Sequence, residues 1–88
     1  MKSLKVLLLT QENCTFCDAA KAILVRLERE YPISLATLAL ESIDGRTLAE
    51  RGGILFPPGI FIDDEPFCYG RPSERALRRE IERRMSVS

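Results

Sequence analysis

The chain begins with a short unbroken apolar run, Val6-Leu7-Leu8-Leu9, the pattern of a strand covered on both faces. From residue 17 to residue 31 the period changes. Ala20, Ile23, Leu24, Leu27 and Tyr31 recur at spacings of three and four, with Lys21, Arg26, Glu28 and Arg29 between them, which predicts an amphipathic helix. Pro32 disfavours helical geometry at Tyr31 and ends it. Residues 33–40 return to a short-period apolar texture and predict a second strand. Thr47-Leu48-Ala49-Glu50-Arg51 predicts a brief helix begun near Asp44 and stopped by Gly52-Gly53. Ile60-Phe61-Ile62 and Phe67-Cys68-Tyr69 predict two strands joined as a hairpin through Asp63-Asp64-Glu65-Pro66. After Gly70, Pro72-Ser73 opens a last helix with Ala76, Leu77, Ile81 and Met85 as its apolar stripe.

The order is therefore strand, helix, strand, helix, strand, strand, helix. A β-α-β start implies two parallel strands with a right-handed crossover, and the terminal hairpin adds an antiparallel pair. The expected class is a three-layer α/β unit. With 88 residues, below the ~100–200 usual for a domain, and no linker or repeat, residues 1–88 are expected to form one domain. The hydrophobic share of 45% and charged share of 30% are those of a globular protein and argue against disorder. Thirteen Lys+Arg balance thirteen Asp+Glu, which removes the electrostatic reason to expect nucleic acid or an anionic membrane as partner. No apolar run approaches the ~18 residues of a membrane-spanning helix. The start, Met1-Lys2-Ser3-Leu4-Lys5, leads into an apolar core too short for a signal peptide, and Thr10 to Asn13 follow without a small-residue cleavage site. A cytoplasmic monomer is the expectation.

Three cysteines and no histidine bring in the chemistry. An odd count does not make a disulfide-stapled scaffold, and without histidine no Ser-His-Asp or Cys-His arrangement can form within the chain. Covalent chemistry must run through thiols. Cys14-Thr15-Phe16-Cys17 falls where the first strand passes into the first helix. At that position unpaired backbone N–H groups and the positive end of the helix dipole favour a thiolate at Cys14. Cys17, one turn on, can close a disulfide with it. Cys14 is then the exposed nucleophile and Cys17 the resolving thiol. Thr15 and Phe16, inside the motif, face outward toward a substrate. A zinc site would need two further ligands where only Cys68 remains, so no metal or other cofactor is expected. Cys68 is expected to serve as a small apolar residue of the fourth strand. Asp18 reads as a first-turn acid that complements the helix dipole.

These features resemble the thioredoxin/glutaredoxin superfamily over nearly the whole chain. Leu7-Leu8-Leu9-Thr10 followed by Cys14-Thr15-Phe16-Cys17 resembles its first strand and active-site loop. The stretch Leu48-Ala49-Glu50-Arg51-Gly52-Gly53-Ile54-Leu55-Phe56-Pro57-Pro58-Gly59-Ile60-Phe61-Ile62 resembles its short helix, cis-proline loop and third strand. Asp63-Asp64-Glu65 through Gly70-Arg71-Pro72-Ser73 to Leu77 resembles its hairpin and last helix. The resemblance implies a thioredoxin fold, β-α-β-α-β-β-α on a mixed four-stranded sheet, and thiol-disulfide oxidoreductase activity. It assigns the family's cis-proline to Pro58, with Pro57 the alternative one residue earlier, and makes this pair part of the substrate-binding surface.

The departures bear on the electron donor. Glutathione-using members usually carry a basic residue three before the first cysteine, where this chain has Gln11. Their Gly-Gly-Asp is reduced here to Gly70 followed by Arg71. In the family the residue before the cis-proline pairs its backbone with the bound peptide or glutathione, and Pro57 has no N–H to give. Thioredoxin features are also missing. Asn13 stands where those proteins have Trp before the first cysteine, and Leu8 where they have a buried acid. The implied partners are disulfide-containing proteins and a flavoprotein reductase, with a low-molecular-weight thiol such as glutathione as the alternative donor. A non-catalytic interaction module of the same fold is the remaining alternative.

Overall fold

The computed structural model describes residues 3–87. Met1 and Lys2, which the reading of the N-terminus included, lie outside the described residues, as does Ser88. Strand β1 (Leu4–Thr10) leads into helix α1 (Thr15–Glu30), followed by β2 (Ile33–Ala39), α2 (Ile43–Gly52), β3 (Gly59–Ile62), β4 (Glu65–Tyr69) and α3 (Glu74–Val87). The sheet order is β2-β1-β3-β4. β1 and β2 run parallel, and β1–β3 and β3–β4 are antiparallel. This is the mixed four-stranded sheet of the thioredoxin fold, in the expected element order.

The apolar run of β1 is consumed from both sides, because successive side chains point to opposite faces. Leu4, Val6 and Leu8 enter a core with Ala20, Ile23, Leu24 and Leu27 of α1, Ile60 and Ile62 of β3, and Leu77 and Ile81 of α3. Leu9 goes the other way and packs with Phe61 of β3, Ala49 of α2 and Ile54. α1 and α3 thus cover one face of the sheet and α2 covers the other, giving three layers.

Three local expectations are corrected. The hairpin turn is two residues rather than four. Asp63 and Asp64 have φ of 49° and 68°, the positive pair that a type I′ turn demands and that aspartate tolerates. Asp63 ties the turn to β1, accepting from the Lys5 N–H at 2.9 Å. Glu65 and Pro66 therefore belong to β4, where proline is tolerated because the strand lies at the sheet edge. A register shift near Phe67 follows, with Phe61 opposite Pro66 and Ile60 opposite Cys68. Lastly, α3 begins at Glu74, with Ser73 Oγ accepting from the Ala76 N–H at 3.2 Å. Ala76 is exposed, so the buried stripe of α3 starts at Leu77.

Ion pairs fasten α3 to its neighbours. Arg78 reaches Glu30 of α1 at 2.6 Å, and Arg26 of α1 reaches Glu74 at 2.6 Å. Tyr31 O–H donates to Glu82. Glu80 accepts from Arg83 and Arg84, and Arg84 continues to Glu65 of β4. The hydrogen bond from Arg83, with that from Arg84, pulls the Glu80 carboxyl down to about 2. Glu74 is lowered chiefly by Arg26, and Glu30 by Arg78. A carboxyl depressed in the folded state stabilises above its unfolded pKa and loses that contribution as pH falls through the folded one. Stability is therefore expected to decline from about pH 4.5 down toward pH 2, measurable by urea unfolding across that range. Glu80→Gln should flatten the decline.

Candidate active site

The turn from β1 into α1 is made at Asn13, whose φ of 56° lies in the left-handed region that asparagine visits more readily than most residues. Cys14 follows as the N-cap of α1 with φ −118° and ψ 105°. Its Sγ accepts from the Cys17 N–H at 3.1 Å, where a capping serine or aspartate oxygen would normally sit. Cys14 and Cys17 are joined as a disulfide across this first turn, with Cα atoms 5.1 Å apart.

The two sulfurs are unequally accessible. Cys14 is half-buried, whereas Cys17 is 1% exposed on the core side of α1. Thr15 and Phe16 are exposed, Phe16 at 45%. Asp18 is an exposed acid in the first turn of α1, as a favourable partner of the helix dipole would be.

The second wall comes from the loop before β3. The peptide bond between Pro57 and Pro58 is cis, which places the cis residue at Pro58. Pro58 is buried, and its carbonyl accepts from the Gly70 N–H at 2.8 Å. Gly59, next in line, stands opposite Leu9 near the end of β1, so the register brings this loop to the same end of the sheet as the dithiol. Phe56 and Tyr69 meet edge to face, 5.0 Å between centroids. Phe56 is 53% and Tyr69 38% exposed, so this apolar pair lies at the surface beside the cis loop rather than in the core. Gly70 allows this closeness: its φ is +81°, and a Cβ there would lie 2.7 Å from Phe56 Cε2. Leu55, 76% exposed, is a further surface apolar residue of the same loop that the sequence does not single out. Its one signal was a large apolar residue in a Gly/Pro-rich loop outside any periodic stretch.

Cys68 is apart from the dithiol. It is half-buried in β4 against the larger core, and it borders a shallow cleft of about 280 Å³ with Gly52, Ile54, Pro66, Phe67 and Tyr69. Burial pushes its thiol pKa up, keeping it a neutral, weakly nucleophilic thiol at neutral pH.

No family model matches the chain. A thioredoxin of Methanocaldococcus jannaschii is 27% identical over 85 residues, covering 97% of this chain and all of the relative. Among solved structures, a mutant thioredoxin of Halobacterium salinarum superposes with a TM-score of 0.72 at 20% identity, covering 93% of this chain and 74% of its own. Glutaredoxin 1 of Francisella tularensis, solved with cacodylate, gives 0.58 at 22% identity over 96% and 99%. The chain has the thioredoxin fold and is similar in sequence to a thioredoxin along nearly its whole length.

The likeness to a thioredoxin, together with the Cys14–Cys17 pair at the first turn of α1, supports thiol-disulfide oxidoreductase chemistry in general. The chain's departures from the superfamily pattern now have positions. Leu8 is fully buried, so an apolar side chain fills the place of the acid that thioredoxins carry there. Neither Pro57 nor Pro58 has an N–H, and the Pro58 carbonyl is already engaged by Gly70. At these two residues the loop leaves only the Pro57 carbonyl for a ligand's main chain.

Proposed function

We propose that this protein reduces protein disulfides through Cys14 and Cys17 and is recharged by a thioredoxin-reductase-type flavoprotein. The observation that carries the reading is the unequal burial of the paired cysteines at the start of α1. The Cys14 thiolate attacks one sulfur of a substrate disulfide, forming a mixed disulfide and releasing the other sulfur as a thiolate. Cys17 needs to reach only Cys14. Its thiolate attacks Cys14 Sγ, expels the second substrate sulfur and closes the Cys14–Cys17 disulfide. Two electrons pass to the substrate, whose thiolates take up protons from Cys17 and water. The reductase returns two electrons and restores the dithiol.

The exposed Phe16, Leu55, Phe56 and Tyr69 favour a peptide with apolar side chains beside its half-cystine. Thr15, Phe16, Pro57 and Pro58 would bound that peptide. Glutathione is the second reading for the donor, and the glutaredoxin likeness in fold keeps it in view. It is disfavoured by Gln11, where glutathione-using proteins carry a basic residue, and by Gly70-Arg71 in place of their Gly-Gly-Asp.

A coupled assay separates the two. Reduction of insulin disulfides is followed with NADPH and thioredoxin reductase, or with NADPH, glutathione and glutathione reductase. Turnover with the first pair and at most a tenth of it with the second is expected. The reverse ratio would assign the protein to glutathione. The absence of turnover with both, and of a reversible Cys14–Cys17 disulfide in thiol buffers, would leave a non-catalytic module.

A further inference from the structure

The two edges of the sheet are built differently. β4 carries Glu65, Pro66 and a register irregularity, each of which discourages another strand from adding. β2, Ile33-Ser34-Leu35-Ala36-Thr37-Leu38-Ala39, has no charge and no proline, and it pairs with β1 without interruption. Ser34, Ala36, Thr37 and Ala39 are exposed. An unprotected edge of this kind is a template for strand pairing.

Two hydrogen bonds fix which backbone groups of β2 face outward. Leu4 N–H donates to the Pro32 carbonyl at 3.0 Å, and Leu40 N–H donates to the Thr10 carbonyl at 2.8 Å. Even-numbered residues therefore face β1, and Ile33, Leu35, Thr37 and Ala39 direct their N–H and C=O groups away from it. Two of these groups are already satisfied. Ile33 N–H donates to the Tyr31 carbonyl at 2.8 Å, and the Ala39 carbonyl accepts from Ser42 N–H at 3.1 Å and Ser42 Oγ at 2.6 Å. The Ile33 carbonyl, the Ala39 N–H and both groups of Leu35 and Thr37 have no backbone partner among the described residues.

The geometry points to a second copy of this chain as the occupant of the edge, paired antiparallel with β2 about a two-fold axis at Ala36. In that register Leu35 stands opposite Thr37 of the second copy, and each such pair exchanges two hydrogen bonds. Ile33 stands opposite Ala39, whose N–H reaches the Ile33 carbonyl. The bond this pair does not make is the one between the two groups that each copy has already satisfied. Centres one step away fail this test: pairing about Leu35 leaves the Thr37 carbonyl without a donor, and pairing about Thr37 aims the Leu35 N–H at the engaged Ala39 carbonyl. An unrelated strand would have no reason to match the used groups at both ends.

Charge agrees with the pairing. No like charges meet along the strand. Beyond its end Glu41 comes opposite Tyr31 of the second copy, near Arg29 in the last turn of α1, and neither Glu41 nor Arg29 has an ion-pair partner among the described residues. The result is a continuous eight-stranded sheet with the two dithiols at opposite ends, both accessible. Such a dimer departs from the monomer expected of the sequence.

Sedimentation equilibrium from about 1 μM to about 1 mM tests it. The 10.0 kDa chain should show a concentration-dependent doubling of mass. Thr37→Pro deletes an outward N–H and leaves the β1 ladder whole, so it should stay folded by circular dichroism while dimerising at least tenfold more weakly. Ala36→Lys brings two lysines within about 5 Å across the axis and should also give monomers, as should Ala36→Glu. An equimolar mixture of A36K and A36E should restore the dimer. A single-chain mass for the native protein up to 1 mM overturns the proposal. So does a folded Thr37→Pro variant that dimerises as before, or a charge-swapped mixture that stays monomeric. None of these readings depends on catalysis.

Discussion

With Cys14 replaced by serine, disulfide reduction is expected to fall by about three orders of magnitude or more, because the hydroxyl is no nucleophile at neutral pH. Cys17→Ser should behave differently. Cys14 still attacks, but nothing resolves the intermediate, so the chain accumulates as a mixed disulfide with its substrate. Intact-mass measurement under non-reducing conditions distinguishes the two, since Cys17→Ser gains the mass of a substrate peptide and Cys14→Ser does not. The asymmetry follows from where the sulfurs stand. Cys14 caps α1 with its Sγ toward the Cys17 N–H, while Cys17 is buried beneath the same turn. If Cys14→Ser keeps its turnover, or if Cys17→Ser is the variant that fails to form the adduct, the assignment of roles is wrong. Cys68→Ser should leave both behaviours unchanged.

The largest effect on stability is expected at Gly45, a position with no chemistry. A Cβ there would lie 2.0 Å from the Ala39 carbonyl oxygen and 2.9 Å from Ser42 Oγ. The obstacle is backbone, which cannot rotate aside, so the first turn of α2 must move off the end of β2. That movement also strains the cap in which Ser42 Oγ accepts from the Gly45 N–H at 2.9 Å while donating to the Ala39 carbonyl. Overpacking and loss of the cap together suggest about 3 kcal/mol for Gly45→Ala. Ser42→Ala, which removes the cap alone, should cost about 1 kcal/mol. Urea unfolding of the two variants measures both. Equal midpoints for Gly45→Ala and the native chain would show that α2 is free to shift.

The elements were legible because each hydrophobic period matched the side of the sheet it had to cover. The unbroken run in β1 announced a strand buried on both faces, and the spacing from Ala20 to Leu27 announced one buried helical stripe. The dithiol could be placed for the same reason, since a C-x-x-C at a strand-to-helix junction has its geometry set by the junction. What escaped was decided by contacts between segments far apart in sequence. Gly45 carries no signal of its own in the sequence, because nothing local tells that the end of β2 passes against it. Phe56 and Tyr69 fit a surface rim or the core equally well by sequence, and only their exposure in the folded chain separates the two. Pro66 looked like part of a turn because edge position, which excuses a proline from the ladder, is a property of the whole sheet. The electron donor is a property of partners, and the chain speaks to it only through departures such as Gln11 and Gly70-Arg71.

The two faces of the sheet are insulated unequally. On the side of α1 and α3 the buried side chains run from Leu4 through Leu24 and Leu27 to Ile81, whereas the α2 side rests on Leu9, Ala49, Ile54 and Phe61. Local opening draws on the thinly packed parts of a structure first. Amide protons of α2 should therefore exchange with solvent ahead of those in β1 and the middle of α1. The molecule would breathe on the face away from its sulfurs, and the helix that orients them would be among the last parts to open.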